Sequence, residues 1–286
     1  MAILVDGNTR VIVQGITGRS GTFYTEAALR YGSPYVGGVR PGKGGTMHLG
    51  LPVFDTVEQA VVETQADASM ILAPAHNAAA AMIEAIEAGI GVIVCVTERV
   101  PIADMIRVKA ALRGSASELV GANSHGVLTP GACKIGVMAT QNAAPGKIGI
   151  ASRSASLTSE IVAQTSAAGL GQSTTVGVGG DAIHGIGFRR CLELYKDDAA
   201  TEAVILIGEI GGVEEEEAAD YLASAPYGKP IVALVVGQHA PPERRMGHAG
   251  TLSISGAGSW DAKCRVLRDA GVAIAANADE VVSLLA

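Results

Sequence analysis

The sequence predicts an α/β protein built from two doubly wound domains. Three observations carry that expectation. Short apolar runs alternate with amphipathic helical patterns along the whole chain. The alternation breaks off near residue 125 and then starts again. Glycine accounts for 37 of the 286 residues, roughly 13 % against a usual level near 7 %. The glycines cluster at the ends of apolar runs, where a strand must turn tightly into a helix.

In chain order, Val11–Val13, Tyr35–Val39, Met70–Ala73, Val92–Val96 and Leu119–Gly121 are predicted as buried parallel strands. Ala-rich amphipathic helices, such as those predicted over Asn77–Ala88 and Ile102–Leu112, lie between several of them. The first domain ends near residue 125, and a loop-rich connection through Gly131, Pro145 and Gly146 follows. Strands are then predicted at Ile148–Ala151, Thr174–Val178, Ala203–Ile207, Ile231–Val235 and Val272–Ala275. Helices near Ser154–Ala168, Gly187–Lys196, Val213–Ala223 and Asp261–Ala270 separate them. The acidic run Glu214–Glu217 follows Gly211-Gly212 and reads as a solvated first helical turn favoured by the helix dipole.

Composition excludes several classes of function. Hydrophobic residues make up 48 %, yet no run of about 18 apolar residues occurs, so no segment is expected to span a membrane. The start, Met1-Ala2-Ile3-Leu4-Val5-Asp6, shows neither a basic leader nor a cleavage pattern, which predicts a soluble cytoplasmic protein. A net charge of −7 with 3 % aromatic residues gives nucleic acid neither a basic face nor stacking platforms. Cys95, Cys133, Cys191 and Cys264 lie far apart without a CxxC pair. They read as reduced core or near-site thiols, not as a disulfide frame or a metal site.

Four stretches carry chemistry. Strand Val11–Val13 runs into Gln14-Gly15-Ile16-Thr17-Gly18-Arg19-Ser20-Gly21-Thr22 and then a helix, which presents backbone N–H groups to an anion. Ile16 occupies the first glycine position of the dinucleotide fingerprint. The second strand ends in Arg40-Pro41-Gly42-Lys43-Gly44-Gly45 instead of the acidic residue that holds an NAD ribose. Two cations and three glycines suit a phosphorylated ribose, hence coenzyme A or NADP. A second cradle, Ser152-Arg153-Ser154-Ala155-Ser156-Leu157-Thr158, opens another helix, with Ser154 also a candidate N-cap.

The third stretch, Gly208-Glu209-Ile210-Gly211-Gly212, puts a carboxylate at a strand end. The fourth is a loop of Pro241, Pro242, Arg244, Arg245, Met246, Gly247, His248, Ala249 and Gly250, followed by the small-residue run from Ser253 to Ser259. Glu209 is placed to take a ring N–H of His248, fixing the tautomer and freeing the other nitrogen as a nucleophile. There is neither a metal-ligand cluster nor a Walker-type loop. The combination suits a protein that receives a phosphoryl group made elsewhere and passes it on.

These blocks, together with Gly37-Gly38-Val39 and His48-Leu49-Gly50-Leu51-Pro52-Val53-Phe54, resemble the α subunit of succinyl-CoA synthetase from about Ile12 to the end of the chain. The resemblance implies a Rossmann-like CoA-binding domain over residues 1–125 and a flavodoxin-like α/β ligase domain over residues 126–286. It implies that Thr17, Gly18, Arg19, Ser20 and Gly21 line the CoA phosphates with Lys43 beside them. Thr97 and Glu98 would meet the inner part of CoA. Ser154 and the Ala155 N–H would hold a phosphoryl group, Glu209 would pair with the histidine, and His248 would be phosphorylated. A β subunit of the ATP-grasp type would bind ATP or GTP with Mg²⁺, in a heterodimer or heterotetramer. The implied substrate is succinate or a related dicarboxylate such as malate.

The sequence also departs from that family. Asn123-Ser124-His125-Gly126 stands where Asn-x-Pro-Gly is usual, near the acyl substrate, so His125 puts a polar ring that can carry charge in place of a rigid proline. Ser154-Ala155-Ser156 replaces Ser-Gly-Thr, Tyr24 replaces a common His, and Asn142-Ala143-Ala144 is unusual. The altered cradle and acyl loop keep a non-catalytic CoA-binding sensor open, and the basic turn after the second strand keeps an NADP-dependent reductase open.

Overall fold

The computed structural model describes residues 2–241, 244–251 and 258–285. Pro242 and most of the small-residue run after His248 lie outside the described residues.

The first sheet contains β1 (Val11–Gln14), β2 (Tyr35–Val39), β3 (Met47–His48), β4 (Leu51–Phe54), β5 (Ala68–Ile71), β6 (Val92–Cys95) and β7 (Glu118–Val120). Its order is β3-β4-β2-β1-β5-β6-β7, parallel except for the β3–β4 hairpin. Helices α1 (Arg19–Tyr31), α2 (Val57–Thr64), α3 (Ala75–Glu87) and α4 (Ile102–Leu112) connect the strands. The chain leaves β1 toward β2 on one side and returns to β5 on the other. Such a reversal opens a crevice beyond the carboxyl ends of the strands, where α/β sheets bind ligands.

The second sheet repeats the device. It contains β8 (Gly126–Thr129), β9 (Cys133–Gly136), β10 (Pro145–Ser152), β11 (Gln172–Gly177), β12 (Ala203–Glu209), β13 (Ile231–Val236) and β14 (Ala273–Ile274). The order is β14-β13-β12-β10-β11-β8-β9, with the reversal at β10. The cradle after β10 and the carboxylate at the end of β12 therefore face one crevice. Helices α5 (Ala155–Ala167), α6 (Phe188–Asp197), α7 (Glu214–Ser224) and α8 (Trp260–Asp269) complete this half.

The predicted strands and helices are all present, with ends shifted by a few residues. Two pieces were not expected. The hairpin β3–β4 and helix α2 occupy residues 47–64. The supposed loop through Gly131 contains a second hairpin, β8–β9, whose β8 pairs antiparallel with β11. Both of its strands are buried throughout, so they lack the alternation that marks a half-exposed strand. Gly131 turns it with φ of 76°.

The acidic run at 214–217 is a correction. Glu215 is buried, its side chain 1 % exposed, and pairs with Lys263, which is 0 % exposed. Glu216 also accepts from Lys263, at 2.8 Å. Only the outer part of this helical turn is solvated, because the inner face carries its own buried cation.

All four cysteines are free and buried. Burial pushes the Cys95 and Cys133 thiols up to about 12. One apolar cluster runs through both halves, joining Val13 and Val94 to Val127, Ile135 and Val176. Across the same junction Arg190 reaches Glu118 at 2.6 Å, and Tyr35 donates to the Lys134 carbonyl at 3.2 Å. Among the described residues no helix is long and apolar enough to cross a membrane.

Candidate active site

The loop after β1 is shaped by two glycines. Gly15 has φ of 90°, and a Cβ on Gly21 would sit 2.1 Å from the Gly15 carbonyl oxygen. Only glycine lets the first turn of α1 fold back on the loop this closely. Gly18 caps α1 without a side-chain hydrogen bond, and the first turn carries no acidic residue. Gly18, Arg19 and Ser20 are exposed and Thr17 is half-buried beside them. The helix start thus offers N–H groups and positive dipole to an anion.

A basic turn stands next to this loop. Asp55 accepts from the Gly42 and Gly44 N–H groups at 2.7 and 3.0 Å. A Cβ on Gly44 would fall 2.4 Å from the Asp55 carboxylate. This clamp fixes the turn carrying exposed Arg40 and Lys43. His48 meets the Thr22 hydroxyl at 2.8 Å and ties β3 to the start of α1. Neither Asp55 nor the His48 contact was visible in the sequence, since both depend on the unexpected hairpin.

Thr97 and Glu98 follow β6. Thr97 donates to the Ala73 carbonyl at 2.6 Å, and its own carbonyl accepts from the Asn123 N–H at 2.8 Å. Glu98 is exposed. The segment Asn123-Ser124-His125 is therefore anchored to the loop before it, with Asn123 at φ of 57°.

His125 corrects a second expectation. It is 6 % exposed, and burial first, then the nearby His248, lowers its imidazole to about 4. The ring is neutral at ordinary pH, not cationic. Thr158 donates its hydroxyl proton to the Ser154 carbonyl at 2.7 Å. Its oxygen lies 3.1 Å from His125 Nε2 and accepts there, so Nε2 carries the ring proton. Ser124 donates to the Gly177 carbonyl and accepts from the Gly126 N–H at 2.8 Å.

The expected strand-to-helix turn after β10 is present. Ser154 caps α5, accepting from the Leu157 N–H at 3.3 Å, and Ala155 and Ser156 are exposed in its first turn. No acidic residue stands in that first turn to repel an anion. At the end of the neighbouring β12, Glu209 is 5 % exposed. Its Oε2 accepts from His248 Nδ1 at 2.8 Å. Arg153, 2 % exposed in its side chain, stands 3.1 Å from Oε1. The backbone N–H of Glu209 donates to Glu215 at 2.9 Å.

His248 is half-buried. Thr251 closes its loop by accepting from the Met246 N–H at 2.9 Å and donating to carbonyls of the same turn. A Cβ at Gly180 would lie 2.7 Å from the imidazole, so glycine there lets the ring rest on backbone. The hydrogen bond to Glu209 holds the imidazole above its ordinary range, burial and Arg153 opposing. Because the carboxylate accepts at Nδ1, the proton stays there and Nε2 keeps its lone pair.

These groups converge on a cleft of about 320 Å³ lined by Ser20, Glu98, Asn123, Ser124, His125, Ala155 and His248, together with Tyr24 and Arg153. Thr17, Gly18, Arg19, Gly21, Lys43, Thr97 and Ser154 are not in that lining. A cleft of about 520 Å³ lies elsewhere, and one of about 610 Å³ is lined by Glu209 with Leu157, Met246 and Thr251. The cleft of about 320 Å³ is the one into which both helix starts and the histidine open. Asn142–Ala144 sit in the turn before β10, away from it.

Sequence reasoning passed over Arg153, Gly180 and Asp181. Asp181 is 4 % exposed and accepts from the Val100 N–H at 3.2 Å across the junction. Arg153 lay inside a quoted motif, and an arginine between two serines at a strand end was the available signal. Among the described residues no group of three or more His, Cys, Asp or Glu is placed to hold a metal ion.

Comparison with known proteins gives the chain its family. Residues 6–99 match the CoA binding domain model and residues 151–274 the CoA-ligase model. The chain is 47 % identical over 286 residues to succinate–CoA ligase [ADP-forming] subunit alpha 2 of Archaeoglobus fulgidus, covering 100 % of this chain and 99 % of that one. It is 48 % identical to the corresponding α subunit of Aquifex aeolicus, covering 97 % and 91 %. The chain belongs to the succinate–CoA ligase α-subunit family.

The chain shares its fold with larger proteins. The ATP citrate lyase of Methanothrix soehngenii, solved with citrate and coenzyme A, matches with a TM-score of 0.89 at 24 % identity. That match covers 99 % of this chain and 50 % of the lyase. The dinucleotide forming acetyl-coenzyme A synthetase 1 of Ca. Korarchaeum cryptofilum matches at 0.78 and 18 % identity, over 98 % of this chain and 61 % of that one. The present chain thus spans half to three-fifths of those chains, and the likeness is one of fold.

Proposed function

We propose that this chain is the α subunit of an NDP-forming acyl-CoA ligase. It converts a carboxylate, coenzyme A and ATP or GTP into acyl-CoA, NDP and phosphate by way of a phosphohistidine at His248. The proposal includes a CoA-binding domain over residues 1–125 and a ligase domain over residues 126–286. It includes a cytoplasmic complex with an ATP-grasp type β subunit that holds the nucleotide and Mg²⁺. The observation that carries it is His248, held by buried Glu209 behind it, opening into one cleft with the starts of α1 and α5.

The residues after β1 fit coenzyme A. A backbone loop that tolerates no Cβ at Gly21, an uncapped helix start, and exposed Arg19, Arg40 and Lys43 suit phosphate groups. Thr17, Gly18, Arg19, Ser20 and Gly21 would hold them with Lys43, while Thr97 and Glu98 would meet the inner portion. Bound coenzyme A supplies the thiol that displaces phosphate from an acyl phosphate.

The chain's own residues do the rest. Glu209 keeps the proton on Nδ1, so Nε2 of His248 attacks phosphorus and the ring becomes an imidazolium beside a carboxylate. Ser154 and the Ala155 N–H present hydrogen-bond donors and the α5 dipole to the phosphoryl oxygens. His125, with Asn123 and Ser124, walls the cleft on the acyl side. A dicarboxylate, succinate or a relative such as malate, is the substrate class this reading assigns.

The test is phosphohistidine formation. The chain is co-expressed with its β subunit and given labelled ATP or GTP. Acid-labile, base-stable label on the wild type and none on His248→Asn supports the relay. A folded complex that binds CoA and takes no label with either nucleotide overturns it, in favour of a CoA-binding sensor.

A further inference from the structure

We propose that Arg153 is a further catalytic residue, which orients Glu209 through one arm and donates its Nε–H to the phosphoryl oxygens transferred at His248. The inference rests on the ligase reading above.

Arg153 lies between β10 and the N-cap of α5, and its backbone N–H bonds the Ile207 carbonyl at 2.9 Å. The side chain is thereby drawn under the strand ends and is 2 % exposed. Its contacts are few for a buried guanidinium. Nη1 donates to the Gly211 carbonyl at 3.4 Å, and Nη2 faces Glu209 Oε1 at 3.1 Å. Nε is buried with no hydrogen-bond partner among the described residues. A guanidinium carries five N–H donors, and a buried donor left unpaired is costly.

Arg153 lines the cleft with Ala155 and His248. Three independent features therefore meet there: a buried cationic donor without a partner among the described residues, the exposed first-turn N–H groups of Ala155 and Ser156 in α5, and the nucleophilic imidazole. A phosphoryl group is the ligand that satisfies all three, because its oxygens accept from both donors while phosphorus meets Nε2. The His248 loop is fitted to this cation, since a Cβ at Gly250 would lie 2.8 Å from Arg153 Nη2.

In the transfer from an acyl phosphate, the Nε2 lone pair forms the N–P bond. The P–O bond to the acyl oxygen breaks, and its electron pair leaves on the carboxylate. The Nδ1 proton stays between His248 and Glu209. Arg153 gains and loses no proton, and acts by neutralising charge on the transferring oxygens. A role confined to neutralising Glu209 would leave the Nε–H without purpose.

The experiment uses the assembled complex with labelled inorganic phosphate and succinyl-CoA, following label on His248. Arg153→Gln is expected to slow labelling by about 100-fold, as loss of one preorganised donor does, and to raise the KM for phosphate. Glu209→Gln is the reference background. If Arg153 touches the phosphoryl group itself, Arg153→Gln slows that variant further. Equal rates for Glu209→Gln and the double variant, or an unchanged KM for phosphate, overturn the proposal. Arg153→Lys keeps the charge and deletes the Nε–H. Should Arg153→Gln fail to fold, labelling of Arg153→Lys at the wild-type rate overturns the proposal and a loss with raised KM supports it. A wild-type complex labelled by neither this route nor nucleotide overturns the ligase reading itself, and the inference with it.

Discussion

Lys263 pairs with Glu215 in the core directly behind the strand end that carries Glu209. The other oxygen of Glu215 accepts the Glu209 N–H at 2.9 Å, and Lys263 also donates to the Gly212 carbonyl at 3.2 Å. Burial already pushes the Glu215 carboxyl above its usual range, with Lys263 opposing. Removing the cation strands a buried carboxylate, which costs about 3–5 kcal/mol. Lys263→Met is therefore expected to lower unfolding free energy by that order in urea titrations. A loss below about 1 kcal/mol, the scale of an exposed pair, would contradict it.

This pair also marks where sequence reading ends. The alternation of apolar runs and helical patterns specified nearly every strand and helix, because buried parallel strands are written in consecutive residues such as Val11–Gln14 and Ile231–Val236. The Glu209–His248 pairing was legible too, since glycine-flanked polar residues in loops have few structural uses. The glutamates at 214–217 look alike in sequence, and only the position of α8, whose Lys263 lies 48 residues beyond Glu215, decides that Glu215 points inward. His125 likewise reads as a loop polar residue until β11 and α5 enclose it.

The imidazole of His248 is held above its ordinary value of 6.5 chiefly by the hydrogen bond to Glu209. Phosphorylation needs the neutral ring, so its rate rises with pH through this raised value and reaches a plateau above it. Glu209→Gln removes the main cause of the shift. Its acid limb moves to lower pH, while the plateau falls about 100-fold through lost orientation and charge compensation. The pH profile of His248 labelling measures both, and an unmoved limb would show that Glu209 does not control the ring.

Gly21→Ala tests the first cradle. The new methyl would enter at 2.1 Å from the Gly15 carbonyl, so the loop must shift. Binding of CoA, measured by calorimetry with the isolated complex, is expected to weaken at least about tenfold, which is 1.4 kcal/mol. Labelling of His248 from nucleotide should be far less affected, because that step uses the second cradle. Equal affinity for the variant and the wild type would place the CoA phosphates elsewhere.

His125 links stability to selectivity. Its imidazole stays neutral down to about 4 in the folded protein, against 6.5 as its ordinary value. The unfolded chain binds the extra proton between those limits, so the contribution is complete above pH 6.5 and is lost as pH falls through about 4. The loss approaches about 3 kcal/mol at the acid end. His125→Asn should flatten this part of the stability curve measured by denaturant unfolding from pH 7 to pH 4.

The same enclosure fixes how His125 can act on a substrate. Thr158 holds the Nε2–H, and the ring lines the cleft as a neutral polar wall that a proline would lack. Replacing it by proline should change the ratio of kcat/KM between succinate, malate and longer dicarboxylates by about 10-fold or more, while His248 labelling from nucleotide continues. Selectivity follows differential contact with the transition state, and a single buried polar wall commands this range. An unchanged ratio would remove His125 from the acyl site and leave its hydrogen bond to Thr158 as a brace for the start of α5.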